Sequence, residues 1–406
     1  MKARTTRRPA EREKDDTPNR AEGRCVEVSR GIAPAVACLL WGRAAGRCEF
    51  AGCNAPLWKS AVTQERVNIA EKAHIYAFHD GGARGHKGVP KERLNAFDNL
   101  LLVCHGCHRK IDQHQEGGRY AVALLRQWKT AHERRVEVVT GIDAGKKSHV
   151  LLYGANVGDQ NAPLNFMDAA MALFPTRYPA EDRPLLLGTI NSSFTDRSLK
   201  FWELEEEHLV TQFERQVRDR MRLGEVSHLS VFAIAPQPLL IRLGTLLCDL
   251  THADVFQRHR EPQTWEWPKR AARIAFTVEE PVFNDGPPAL VLALSAFVTN
   301  DRITTILGPD AAIWRVTVAR PHTDLIKSRT HLVALRSLLG PLLDRIKARH
   351  GQTTPLHVFP AVGVSAAVEL GRVRMPKAHM PWVIYDQVND RGGFIPALSI
   401  PHKDCL

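Results

Sequence analysis

The sequence predicts an α/β chain, α+β overall, in two parts: a small zinc-braced module of two strands and a helix, then a larger region of strands alternating with helices. Three observations carry this expectation. Two cysteine pairs, Cys48/Cys53 and Cys104/Cys107, bracket a lone His74. A stretch without apolar period, TGIDAGKKSHV, follows at residues 140–150. From His149 onward, short apolar runs alternate with longer segments of helical spacing, the signature of a parallel or mixed sheet with helices on its faces.

At 406 residues and 44% hydrophobic, the chain can bury more than one core. The longest apolar candidate for a membrane segment, residues 31–42 (GIAPAVACLLWG), is too short to span a bilayer and too far from the start for a signal peptide, so it is expected to be a buried helix. The protein is therefore expected to be soluble and cytoplasmic. Eight cysteines in a chain this long, four of them paired at metal spacing, suit a reducing compartment better than a disulfide framework. The net charge of +11 is unevenly placed. Residues 1–140 carry 25 Lys+Arg against 16 Asp+Glu, and the rest carry 30 against 28. An excess concentrated on the cysteine-bearing third is what a polyanion-binding module shows.

Residues 1–33 are dense in charge and poor in apolar side chains, and are expected to be a basic, disordered tail. A compact module is expected over 34–140, ending in an amphipathic helix marked by Tyr120, Leu124, Trp128 and Val136. Residues 141–149 are expected to be a linker, and 150–406 the larger domain. In that domain, HVLLYGANV, RPLLLGTI, SHLSVFAIA, ARIAFTVEE, ALVLALSAFV, AIWRVTVA and PLHVFPAV read as strands. Residues 198–222 and 323–350 have helical spacing.

Two short knuckles of soft ligands suit a closed, tetrahedral structural zinc site formed by Cys48, Cys53, Cys104 and Cys107. Such a site braces its surroundings without entering a reaction. His74, closing a strand-like segment, is the candidate general base. Asn99, just before the second strand, is expected to orient it through the side-chain carbonyl. His108 and Asp112 lie four residues apart on one helical face and are placed to share a catalytic divalent cation. Arg109 and Lys110 flank them and could hold DNA phosphates. This is the layout of a ββα-metal nuclease fold.

The segments LWGRAAGRCEFAGC, AHI and DNLLLVCHGCHRKID, spanning residues 41–115, resemble HNH endonucleases. The resemblance implies a DNA-cutting domain that uses Mg2+ or Mn2+, with His74 as general base and His108 as ligand of the catalytic ion. One position departs from the pattern: many members carry Asp or His immediately before the base, where this chain has Ala73. A further ligand would then come from Asp112 or Glu71.

Residues 150–406 contain no glycine-rich phosphate loop and no nucleophile–base spacing. Their densest cationic and aromatic patch is FQRHREPQTWEWPKR, where Gln257, Arg258 and Arg260 could meet phosphates and Trp265 and Trp267 could stack on bases. Lys200, Phe201, Phe359 and Tyr385 are further ligand-binding candidates. The stretches SHLSVFAIAPQPLLIRLGTLL, HREPQTWEW, LALSAFV and LHVFPAVGVSAAVELGRVRMPKAHMPWVIYD resemble SAVED domains. That resemblance implies two fused Rossmann-like halves with a cyclic di- or oligonucleotide between them. The whole chain is similar to HNH–SAVED effectors of CBASS antiphage systems. Those imply a ligand made by a partner nucleotidyltransferase, a ligand-induced dimer or tetramer, and sequence-tolerant cleavage of double-stranded DNA. Two alternatives stay open: a non-catalytic zinc module that binds DNA under nucleotide control, and a ligand-independent site-specific restriction endonuclease.

Overall fold

The computed structural model describes residues 31–402 apart from 80, 83, 87, 114–118, 159, 161, 189–195, 250, 282–285 and 389–392. Most of the expected N-terminal tail lies outside the described residues. The chain divides into two compact units, Met1–Thr140 and Gly141–Leu406.

In the first unit, α1 (Pro34–Arg43) begins with proline at its first turn, where the missing N–H costs nothing. It buries Leu40 in a small core with Leu57, Ile75 and the apolar run of the second strand. The two strands are β1 (Ala70–His74) and, after the single-turn α2 (Lys91–Leu94), β2 (Leu100–Cys104). They pair antiparallel with Ala70 opposite Cys104 and His74 opposite Leu100. Helix α3 (His105–Asp112) follows β2 directly, and α4 (Val122–Thr140) closes the unit.

The register separates two ends of the strand pair. Cys104 lies at one end and His74 at the other, four residues or about 13 Å away. The first cysteine knuckle is stitched to β2 through Glu49. Its N–H donates to the Leu102 carbonyl at 2.9 Å, and its carboxylate accepts from the Leu102 N–H at 2.6 Å. Burial pushes that carboxyl up to about 7.

The second unit starts earlier than the sequence suggests. β3 (Lys147–Gly154) takes in the last three residues of the expected linker. It is followed by α5 (Phe166–Leu173), β4 (Tyr178–Pro179), β5 (Leu185–Leu186), α6 (Leu199–Phe213), α7 (Asp219–Arg222), β6 (Leu229–Ile234), α8 (Gln237–Leu247) and β7 (Ala253–Val255). A second set comprises β8 (Thr277–Glu279), β9 (Pro288–Ala293), α9 (Asn300–Leu307), β10 (Ala312–Thr317), α10 (Arg329–His350), β11 (Leu356–Ala361), α11 (Val364–Val373), β12 (Trp382–Val388) and β13 (Gly393–Ile400). One sheet has the order β4-β3-β6-β7, all parallel. The other has the order β13-β12-β11-β9-β10-β8, parallel inside and antiparallel at both edges.

Helices α8 and α11 join the two halves. Each follows a central parallel strand, β6 and β11 respectively, and both are buried along most of their length. They cross at Gly244 and Gly371, where backbone meets backbone. A Cβ on Gly244 would stand 2.0 Å from the Val368 carbonyl oxygen, and one on Gly371 would stand 2.0 Å from that of Ile241. Arg372 of α11 secures the far end of α8, donating to the carbonyls of Cys248, Thr251 and Ala253.

Candidate functional site

The four cysteines predicted to bind zinc come together. Their sulfur atoms all lie within 4.8 Å of one another, with Cys53 Sγ and Cys104 Sγ at 3.9 Å. Zn–S bonds of 2.3 Å in a tetrahedron place sulfurs roughly 3.8 Å apart, so the cluster fits that ion. Burial pushes the Cys48 thiol up to about 12 and raises that of Cys107. At Cys104, burial is outweighed by hydrogen bonds from Cys107 and the neighbouring thiols, and the net shift is downward. Crowded thiols of this kind ionise together only with a cation among them.

At the other end of the strand pair stands His74. Its Nε2 lies 3.0 Å from Asn95 Oδ1, at the end of α2. Asn99, expected to orient this ring, does something else. Its Oδ1 accepts from the Tyr76 N–H at 2.8 Å, and its Nδ2 donates to the carbonyls of Tyr76 at 3.1 Å and Leu94 at 2.9 Å. Asn99 is buried and pins the loop leaving β1 to the end of α2. It positions the residues around His74 rather than the imidazole itself.

Helix α3 returns from the cysteine end towards His74. His108 and Asp112 do share a face, with Nε2 and Oδ2 3.4 Å apart. The sequence did not reveal Arg84, which sits buried between α3 and β1. It donates to the carbonyls of Ile75, Ile111 and His74, and its Nη2 lies 2.9 Å from Asp112 Oδ1. One carboxylate oxygen of the expected metal ligand is thus engaged by a guanidinium. His108 and the other oxygen of Asp112 remain a suitable donor pair for a hard divalent cation. Glu71 is elsewhere: it lies opposite Val103, with Oε1 3.4 Å from His105 Nδ1. Ala73 is buried in β1 and offers no ligand. Arg109 and Lys110 are exposed on α3, free to face a polyanion.

In the second unit, the expected ligand-binding residues separate into two groups. Trp265, Phe359 and Phe201 are core residues, at 2%, 0% and 0% exposure, so none presents a ring face to a base. Trp265 packs edge-on against Phe232, and Phe359 stacks on Tyr385, whose hydroxyl lies 2.9 Å from His357 Nδ1. The stacking role expected of Trp265 is corrected, and Phe201, Phe359 and Tyr385, expected to contact the ligand, are likewise packed into the core. Arg260 and Lys200 are exposed and Arg258 is half-buried. Trp267 is half-buried and lines a cavity of about 270 Å³ with Lys269, Thr264, Glu261 and Lys327.

Gln257 has a different importance. Its Oε1 accepts from the N–H of Ser365 at 3.2 Å and its hydroxyl at 2.6 Å, tying the end of β7 to the start of α11. Gln237, at the start of α8, accepts from the Val362 N–H at 3.0 Å. These bonds bring the N-termini of α8 and α11 together at the carboxyl edge of both sheets. Neither helix is capped by its own N-cap residue, Pro236 or Gly363, although Gln257 takes up the Ser365 N–H in the first turn of α11. At the same edge, Leu294 and Ser295 donate to the Ala361 carbonyl, and the loop they begin carries Phe297, 73% exposed. Open α/β sheets bind ligands beyond the carboxyl ends of their strands, and helix N-termini favour anions there. An exposed aromatic in the loop after β9 is a signal that sequence spacing alone did not single out.

The second unit thus has a doubled, parallel-cored α/β architecture. Residues 209–400 match the family described as "SMODS-associated and fused to various effectors sensor domain", and form a SAVED domain. Among solved structures, the chain is similar to the Cap4 SAVED/CARF-domain containing receptor of Acinetobacter baumannii with the cyclic trinucleotide 2'3'3'-cAAA. Identity is 14% and the TM-score 0.41, over 68% of this chain and 55% of that one. It is also similar to the Moraxella osloensis Cap4 receptor, at 12% identity and a TM-score of 0.35, over 68% of this chain and 54% of the receptor. The chain spans little more than half the length of each. No curated protein sequence matches the chain. Among the described residues, no helix is long and apolar enough to cross a membrane.

Proposed function

We propose that the chain is a metal-dependent DNA endonuclease whose cutting is controlled by a cyclic oligonucleotide bound to its SAVED domain. The observation that carries the nuclease reading is His74 at the open end of a strand pair braced by four clustered thiols, with α3 returning beside it. The neutral imidazole takes a proton from water as that water attacks phosphorus. Arg109 and Lys110 hold phosphates of the duplex, contacts that carry no base information and leave the cleavage sequence-tolerant. His108 and Asp112 would hold Mg2+ or Mn2+. Such an ion, when bound, stabilises charge developing on the phosphate and the leaving oxygen.

In the SAVED domain, the paired N-termini of α8 and α11 would receive phosphates of the cyclic ligand, and Phe297 and Trp267 would meet its bases. A ligand touching both halves favours whichever state of the chain presents them together, and so can drive assembly into a dimer or tetramer. In a cell this describes an antiphage effector: a partner nucleotidyltransferase supplies the ligand and the effector degrades DNA.

A second reading, a DNA-binding module without catalysis, is favoured by one observation, the Arg84 guanidinium on Asp112 beside an unliganded Ala73 position. Closed circular plasmid incubated with Mg2+ or Mn2+ and a panel of cyclic di- and trinucleotides separates the two. The nuclease reading expects linear and fragmented DNA only with one class of ligand, and none from His74→Ala with its zinc retained. Intact plasmid under every ligand and metal would leave the binding module as the account.

A further inference from the structure

We propose that Asn95 is the positioning residue for His74, its side-chain carbonyl holding the imidazole as the Nε2–H tautomer so that Nδ1 accepts the proton. The catalytic consequence rests on the nuclease reading; the tautomer does not.

The geometry fixes both partners. Asn95 Oδ1 lies 3.0 Å from His74 Nε2, while Asn95 Nδ2 faces the Gly31 carbonyl at 3.4 Å. A carbonyl only accepts, so the amide nitrogen belongs on that side and the oxygen on the side of the ring. An oxygen acceptor requires a proton on Nε2. In a neutral imidazole the remaining nitrogen, Nδ1, then carries the lone pair.

Neighbouring contacts hold this pair in place. Asn95 follows the last residue of α2, and the carbonyl of that residue, Leu94, accepts from Asn99 Nδ2 at 2.9 Å. On the histidine side, Arg84 Nη2 donates to the His74 carbonyl at 3.2 Å and its Nε to that of Ile75 at 2.8 Å. The Phe78 ring, 5.8 Å from the imidazole centroid, limits its swing. Two asparagines therefore divide the work. Asn99 fixes the backbone on both sides of the pair, and Asn95 fixes the ring.

The test uses the full-length chain labelled with 15N-histidine, in which long-range N–H correlations distinguish the two tautomers. The wild type is expected to show His74 as Nε2–H. A His74 resonance of the Nδ1–H form would overturn the proposal without reference to any variant. In Asn95→Ala, His74 should become a mixture of tautomers, whereas Asn95→Asp, which keeps an acceptor oxygen, should retain Nε2–H. An unchanged tautomer in Asn95→Ala would also overturn it. In the plasmid assay, with the activating ligand and Mg2+, Asn95→Ala should lower kcat roughly ten- to a hundredfold with KM for DNA unchanged, on the scale of removing the partner that orients a metal-ligating histidine. Asn95→Asp should recover most of that loss. If the wild type cuts no DNA, the nuclease reading fails, and the tautomer measurement still decides what Asn95 does to the ring.

Discussion

The Gly244–Gly371 crossing predicts opposite outcomes for one substitution at two helical glycines. In a helix, Gly→Ala alone stabilises by about 1 kcal/mol. At Gly244 the added Cβ would stand 2.0 Å from the Val368 carbonyl oxygen and 2.8 Å from the Gly371 Cα. Both are backbone atoms, so no flexible side chain can yield, and α8 and α11 must separate by about 1 Å to relieve the contact. A gap of that size forfeits a quarter to a half of the dispersion attraction across the crossing, and overpacking typically costs about 1–3 kcal/mol. Placing this case at the upper end and subtracting the helix gain leaves a net loss of about 2 kcal/mol. For a domain this large that lowers the Tm by roughly 4–8 °C. Gly42 on α1 is the control, because an added Cβ there would meet nothing within 4 Å. Gly42→Ala should therefore melt at or slightly above the wild type. Thermal unfolding of the full-length variants, followed calorimetrically at several scan rates, reads both. Equal or higher Tm in Gly244→Ala would refute the backbone-contact argument.

Further outcomes follow from other parts of the chain. Cys107→Ser should lose the single zinc expected per wild-type chain by elemental analysis, and should unfold the first unit while leaving the second unit's transition in place. Phe297→Ala should weaken cyclic oligonucleotide binding by roughly tenfold or more in calorimetry, as loss of one base-stacking contact does, without altering the Tm. His228 is held down to about 4, first by burial and then by the charge of Arg177, so its folded pKa lies below the unfolded value of about 6.5. The unfolded state then binds a proton that the folded state refuses, and stability is lost as pH falls from about 6.5 through 4. His228→Asn should flatten that part of the dependence of urea midpoint on pH; an unchanged slope would contradict it.

The features legible in the sequence were those encoded locally. The two cysteine knuckles declare themselves by spacing, and His108 and Asp112 share a face because a helix repeats every 3.6 residues. The strands β6, β9, β10 and β11 appeared as short apolar runs. Helices α8 and α11 did not stand out, because each is short and follows directly on an apolar strand, so the apolar residues of strand and helix run together. Asn95 and Arg84 were invisible for another reason. Their partners lie 21 residues away at His74 and 28 away at Asp112, and only the folded turn between β1 and α3 brings them close. Trp265 misled because an aromatic beside cations looks like a stacking platform, while the fold uses it, as it uses Phe359, to fill its core. Phe297, in the same apolar run as β9, looked like part of the strand and proved to be the exposed ring beyond its end.

The most direct test of the account titrates a cyclic oligonucleotide against the full-length protein with Mg2+ and follows cleavage of a fluorescent DNA duplex. The account predicts no cutting without ligand and a saturable rise in rate as the SAVED domain fills, abolished in His74→Ala. A rate independent of ligand, or no cleavage while calorimetry shows the ligand bound, would contradict it.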